Sequence, residues 1–182
     1  MSYAIWPTPG FYRVSSHFRT AERPNHMGID IGRNISPPQP ILGADIVAVA
    51  DGYVSGLGFY HHSMGNWIEL DHGAGLVSRY MHNDRNLVSM GQLVKQGDVI
   101  GLVGNTGRSE GAHLHFEFFL NGCHVNPLEL LCPDRCVSVS DTAVSVSDTA
   151  AAVDGALSHY GWARVFGLSF LVGAVARFFN IR

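Results

Sequence analysis

Apolar and polar residues alternate along GAHLHFEFF, Gly111 to Phe119. Leu114, Phe116 and Phe118 fall on one face, and His113, His115 and Glu117 on the other. A period of two belongs to a strand with one face on a core. The runs IVAVADGYVSGLG, NWIELDHGAGLVSRYMH and VIGLVGNTG are rich in β-branched and aromatic residues. Asp-Gly, His-Gly and Asn-Thr-Gly turn signals divide them. No long segment of helical period interrupts this region. The pattern therefore predicts a mostly β, antiparallel domain over residues 1–131, with RYMHN ending a strand at His82 and ISPPQP (Ile35 to Pro40) as a proline-stiffened loop.

Beyond Leu131 the pattern changes. VSVSDTA occurs twice in tandem, at Val137–Ala143 and Val144–Ala150. Two copies are too few for a solenoid, so residues 132–150 are expected to be a linker. Residues 151–182 carry an apolar stretch, expected to be a helix. Tyr160 to Phe179 is long enough to cross a bilayer, but Arg164 and Arg177 leave an uncharged centre of only Val165 to Ala176. The arginines could snorkel to the two interfaces, and Ala163/Gly167 and Ser169/Gly173 would permit close helix packing. Membrane association and packing on a partner in an assembly both stay open.

Composition narrows the function. Of 182 residues, 46% are hydrophobic and 15% charged, which describes a globular chain. A formal net charge of -3 supplies no electrostatic footprint for nucleic acid. Ten histidines against twelve lysines and arginines stand out, because imidazole is both a metal ligand and a proton carrier near neutral pH. Cys123, Cys132 and Cys136 form an odd set without zinc-ribbon or thioredoxin spacing, and are expected to be reduced thiols. The N-terminus MSYAIWPTPGFYR lacks the basic and apolar regions of a Sec signal peptide, so export by another route is expected.

Three short pieces carry chemistry. NHMGIDIG places His26 and Asp30 four apart, a spacing that shares a face in helix or strand. RYMHN offers His82, and the opening stretch offers His113 and His115. A catalytic zinc site takes three His or carboxylate ligands and leaves a fourth position for water. His26, Asp30 and one of the two strand histidines supply such a set, and two histidines remain for proton transfer. HExxH is absent, so no helix-borne glutamate is available as base.

With these pieces the chain from about Trp6 to Leu131 closely resembles the lysostaphin/LytM-type peptidoglycan zinc metalloendopeptidases. HMGIDIG, VAVADGYVSGLG, GNWIELDHGAGLVSRYMH, GQLVKQGDVIGLVGNTGRSEGAHLHFEF and NGCHVNPLELL stand in family order. The resemblance implies a twisted antiparallel sheet with a narrow groove. It implies zinc ligands His26, Asp30 and His115, and catalytic His82 and His113. The implied substrate is the peptide stems or cross-bridges of bacterial peptidoglycan. Glu117 would hydrogen-bond a histidine beside the metal. His61 and His62 are candidates for substrate contact. Asn66 and Arg79 match positions framing the groove, Arg108 and Ser109 could shape its rim, and His72 reads as a hairpin-turn residue. His17, His124 and His159 read as structural. The expected context is a phage virion protein, with residues 151–182 contacting membrane or virion components. The alternative is a non-catalytic peptidoglycan-binding or structural virion or membrane protein on the same scaffold. GQLVKQGDVIG also resembles a lipoyl-carrier hairpin, but a carrier has no use for five metal-type residues.

Overall fold

The computed structural model describes residues 4–132. The expected linker and C-terminal apolar helix lie outside the described residues. The first strands are short: β1 (Ala4–Ile5), β2 (Val14–Ser16), β3 (Ile29–Ile31), β4 (Asn34–Ile35), β5 (Pro38–Gln39) and β6 (Asp45–Val47). Then come the long strands β7 (Gly52–His61), β8 (Gly65–Asp71) and β9 (Leu76–Asn86). They are followed by β10 (Leu93–Val94), β11 (Val99–Val103), β12 (Leu114–Leu120), β13 (Cys123–Val125) and β14 (Leu131–Cys132). The main antiparallel sheet runs β10-β7-β8-β9-β12-β3-β2, with β11 and β13 pairing to β9 and β12 at its margins. Among the described residues the one helix is a 3-10 turn, Pro127–Glu129, capped by the Asn126 side chain.

The period-two reading of GAHLHFEFF holds, because Leu114, Phe116 and Phe118 are each 0% exposed. They meet Ile29, Ile31, Ile68, Leu70 and Tyr80 in one core. Tyr80 packs tilted on Phe116 with ring centroids 5.1 Å apart. The strand itself starts at Leu114, and Gly111 to His113 form the turn that leads into it. ISPPQP is more ordered than a loop, since Asn34–Ile35 and Pro38–Gln39 pair as a small hairpin.

Strand β9 departs from the expectation in a way that matters. It does not stop at His82 but runs to Asn86. Tyr80 pairs with Ile68 and Asn83 with Asn66, so Met81 and His82 together oppose Trp67. Two residues against one is a β-bulge, which reverses the alternation and re-aims a side chain. His82 has φ +65°, a region a non-glycine residue occupies at a cost of order 1–3 kcal/mol. Its backbone N–H donates to the Met64 carbonyl at 2.9 Å, which holds the bulge in place.

Candidate metal centre

Pairing across three strands assembles the centre. Strand β12 lies between β3 and β9, with His115 directly opposite Asp30 on one side and Met81 on the other. Directly opposed residues project side by side from one face. His26 enters from the β2–β3 loop. Its Nε2 lies 3.0 Å from Asp30 Oδ1 and 3.1 Å from His115 Nδ1, and His115 Nδ1 lies 2.7 Å from Asp30 Oδ1. Gly28 makes this approach possible: a Cβ there would collide with the Phe116 carbonyl and lie 2.8 Å from His115 Nε2.

The donor set fits a divalent cation. One ligand atom from each of His26, Asp30 and His115 lies within 4.8 Å of the others; His26 and Asp30 are buried and the His115 side chain is 12% exposed. Tetrahedral zinc, with bonds of about 2.0–2.1 Å, puts neighbouring donors roughly 3.3 Å apart. The surrounding groups fix which atoms face inward. His26 Nδ1 donates to the His17 carbonyl at 2.8 Å, leaving the Nε2 lone pair for the centre. His115 Nε2 faces Glu117 Oε1 at 3.2 Å, leaving Nδ1 inward. Asp30 turns Oδ1 to the histidines, while Arg23 Nη1 holds Oδ2 at 2.9 Å.

Electrostatics point the same way. Burial works against the charged imidazole of His115. Hydrogen bonds and charge from Asp30 and Glu117 outweigh that and push its pKa up to about 9. Burial likewise opposes the Asp30 carboxylate, but hydrogen bonds from His115 and His26 hold it well below the usual carboxylate range. The site is built to hold positive charge, whether a proton or a cation.

His82 and His113 stand beside these residues, with ring centroids 4.8 Å apart. His113 Nε2 lies 3.6 Å from Asp30 Oδ1, while its Nδ1 donates to the Gly111 carbonyl at 2.7 Å. His82 Nδ1 donates to the Thr106 carbonyl at 2.9 Å. In both rings the backbone acceptor fixes the Nδ1–H tautomer and leaves Nε2 free to accept a proton. Burial pushes the His82 pKa down to about 4, so it is neutral at physiological pH.

The remaining residues sort by contact. Glu117, 6% exposed, leads from His115 to Arg79 at 3.3 Å, and Arg79 continues to Glu69 at 2.6 Å. These are cross-strand neighbours, so a polar line crosses β12, β9 and β8. Asn66 is structural: its amide donates to the Asn83 and Asp84 carbonyls, and its Oδ1 accepts from the Tyr60 N–H. His72 does more than turn a hairpin. It links the Asp51 carbonyl to Ser78, whose hydroxyl meets the buried Tyr80 phenol. His61 caps its own turn by accepting from the Ser63 and Met64 N–H groups, and its ring sits 4.7 Å from that of His62. Ser109 Oγ lies 3.1 Å from His113 Nδ1, in line with a part in shaping the rim. His124 approaches Glu117 at 3.6 Å. Sequence reasoning missed Arg23 and the His17, Thr106 and Gly111 carbonyls. A carbonyl leaves no trace in residue type.

Comparison with known proteins agrees with this geometry. The profile of Peptidase family M23 matches residues 24–127, a stretch containing all five site residues. The chain is 38% identical over 130 residues to peptidoglycan DD-endopeptidase ShyC of Vibrio cholerae, covering 68% of this chain and 28% of that protein. It is 40% identical over 130 residues to murein hydrolase activator NlpD of Escherichia coli, covering 71% of this chain and 31% of that one. The crystal structure of a zinc-containing peptidase from Vibrio cholerae matches with TM-score 0.59 and 31% identity, over 69% of this chain and 39% of that one. The chain therefore spans less than a third of the length of these curated relatives.

Proposed function

Because the chain belongs to peptidase family M23, we propose that it is a zinc-dependent endopeptidase that hydrolyses peptide cross-links of bacterial peptidoglycan. One observation carries the reading. Three donor groups, on His26, Asp30 and His115, converge within 4.8 Å, and His113 Nε2 stands 3.6 Å from the shared carboxylate oxygen. A zinc ion held by these three residues would supply the positive charge that polarises a scissile carbonyl and acidifies water. His82 and His113 then handle protons at Nε2. Neutral His82 accepts a proton or a hydrogen bond from the attacking water. Once protonated, either ring stabilises negative charge on the carbonyl oxygen and returns a proton to the leaving amine. Which ring takes which step depends on the substrate pose.

Similarity to both an endopeptidase and a hydrolase activator frames the alternative, a non-catalytic activator on this scaffold. The complete set of three ligands and two histidines favours the enzyme. The deciding experiment incubates purified peptidoglycan of several chemotypes with zinc-loaded protein and with His113→Ala, and identifies released fragments by mass spectrometry. Release by the wild type alone is expected. Intact murein, together with stimulation of a separate hydrolase, would instead establish the activator. The proposal includes delivery to the wall by a phage particle, supported by the apolar stretch Val165 to Ala176 behind the tandem repeat. Recovery of the protein from host lysate but never from purified particles would remove that part.

A further inference from the structure

A cavity of about 370 Å³ opens beside the candidate centre, with Asp30 and His113 in its wall. Its remaining lining includes Arg13 and Arg33, whose guanidinium groups take part in no ion pair or hydrogen bond among the described residues. The acidic residue that lines it is Asp30, and both Asp30 oxygens are engaged, one by the histidines and one by Arg23. Two arginines at one cavity whose single carboxylate is already engaged are a local excess of positive charge on a chain whose net charge is -3. The Arg13 guanidinium packs over Gly32, where an added Cβ would come within 3.1 Å of Arg13 Nη1. Ile41 and Leu42 add apolar lining, and a Cβ on Gly111, which also lines the cavity, would meet open space.

We infer that this cavity is a specificity subsite for a free carboxylate carried by the stem peptide beside the scissile amide, with Arg13 and Arg33 as its ligands. Guanidinium recognises carboxylate by paired, charge-assisted hydrogen bonds, and an amide in its place leaves the donors poorly matched. Peptidoglycan stems carry such groups on the D-glutamate and on the diamino acid. The subsite rests on the peptidoglycan reading above and adds a preference to it: stems with a free acid are taken over amidated ones.

The test is a substrate-by-variant cycle. Zinc-loaded wild type and R13Q/R33Q are assayed on cross-linked muropeptides that are unmodified, amidated at D-glutamate, or amidated at the diamino acid. One amidation is expected to lower wild-type kcat/KM by tenfold or more, and the two losses are not expected to add in the variant. The amidation that shows this coupling identifies the carboxylate. R33K, which keeps the charge, should recover part of the preference, and both arginines are exposed enough for the variants to fold. Losses that add for every substrate would overturn the subsite while leaving the endopeptidase intact. If the wild type cleaves no murein, calorimetric binding of the soluble tetrapeptide stem, acid against amide, decides the subsite separately. Tighter binding of the acid that disappears in R13Q/R33Q supports it, and equal binding of both forms rejects it.

Discussion

Replacing Glu117 with glutamine tests the electrostatic design of the centre. The side chain keeps its shape and an oxygen for His115 Nε2 but loses its charge. The rise of the His115 pKa from 6.5 to about 9 corresponds to about 3 kcal/mol of preference for the charged ring. Against the opposing effect of burial, Asp30 is the larger source of this preference and Glu117 the smaller. A loss of one pKa unit with the Glu117 charge would correspond to about 1.4 kcal/mol, or tenfold in an equilibrium constant. Two measurements should report it. The folded pKa lies above the unfolded value, so this stabilisation is complete below pH 6.5 and lost as pH rises to about 9. With chelator present, denaturant unfolding of the wild type should weaken by up to about 3 kcal/mol over that range, and of Glu117→Gln by about 2. His72 and His82, whose pKa values burial lowers, are neutral in both states through most of this window and leave it undisturbed. Zinc affinity, measured against a competing chelator and corrected for the proton that His115 releases, should fall about tenfold, in keeping with the effect of removing a partner of a metal-bound histidine. An unchanged alkaline slope together with an affinity within twofold of wild type would refute this account of Glu117.

Zinc binding at pH 7 should displace about one proton from His115, seen as a dependence of binding enthalpy on buffer ionisation enthalpy, and affinity should rise about tenfold from pH 7 to pH 8. Heat that is independent of buffer would contradict it. Gly28→Ala forces a methyl against the Phe116 carbonyl and His115. Overpacking of this kind costs about 1–3 kcal/mol, and zinc content after dialysis should drop, whereas full occupancy would show that the loop yields. Tyr80→Phe leaves the buried Val49 N–H without its 3.1 Å acceptor, at a cost of about 1–3 kcal/mol in denaturant unfolding. Zinc stoichiometry should stay unchanged, and a loss of zinc would mean that this network reaches the centre.

The mostly β class and the core face of β12 were legible in residue order, and so were five candidate residues that the fold brings together, although His115 was singled out over His113 as the third donor by the family resemblance alone. Strand alternation and the spacing of His26 and Asp30 survive folding because they are local: a period of two assigns faces wherever the strand goes. Three features were decided only by tertiary structure. The bulge at Met81 and His82 depends on pairing with Trp67, and without it the period would have sent His82 to the core side with Tyr80. The tautomers of four histidines depend on backbone conformation and packing: the His17 and Thr106 carbonyls reach His26 and His82 from other segments, and the Gly111 carbonyl and Glu117 carboxylate reach His113 and His115 from two residues away. Arg13 and Arg33 line one cavity only because β2 pairs with β3 and brings the chain on either side of those strands together. Residue type and spacing carry short-range geometry, whereas strand register and cavity walls arise from contacts between segments far apart in the chain.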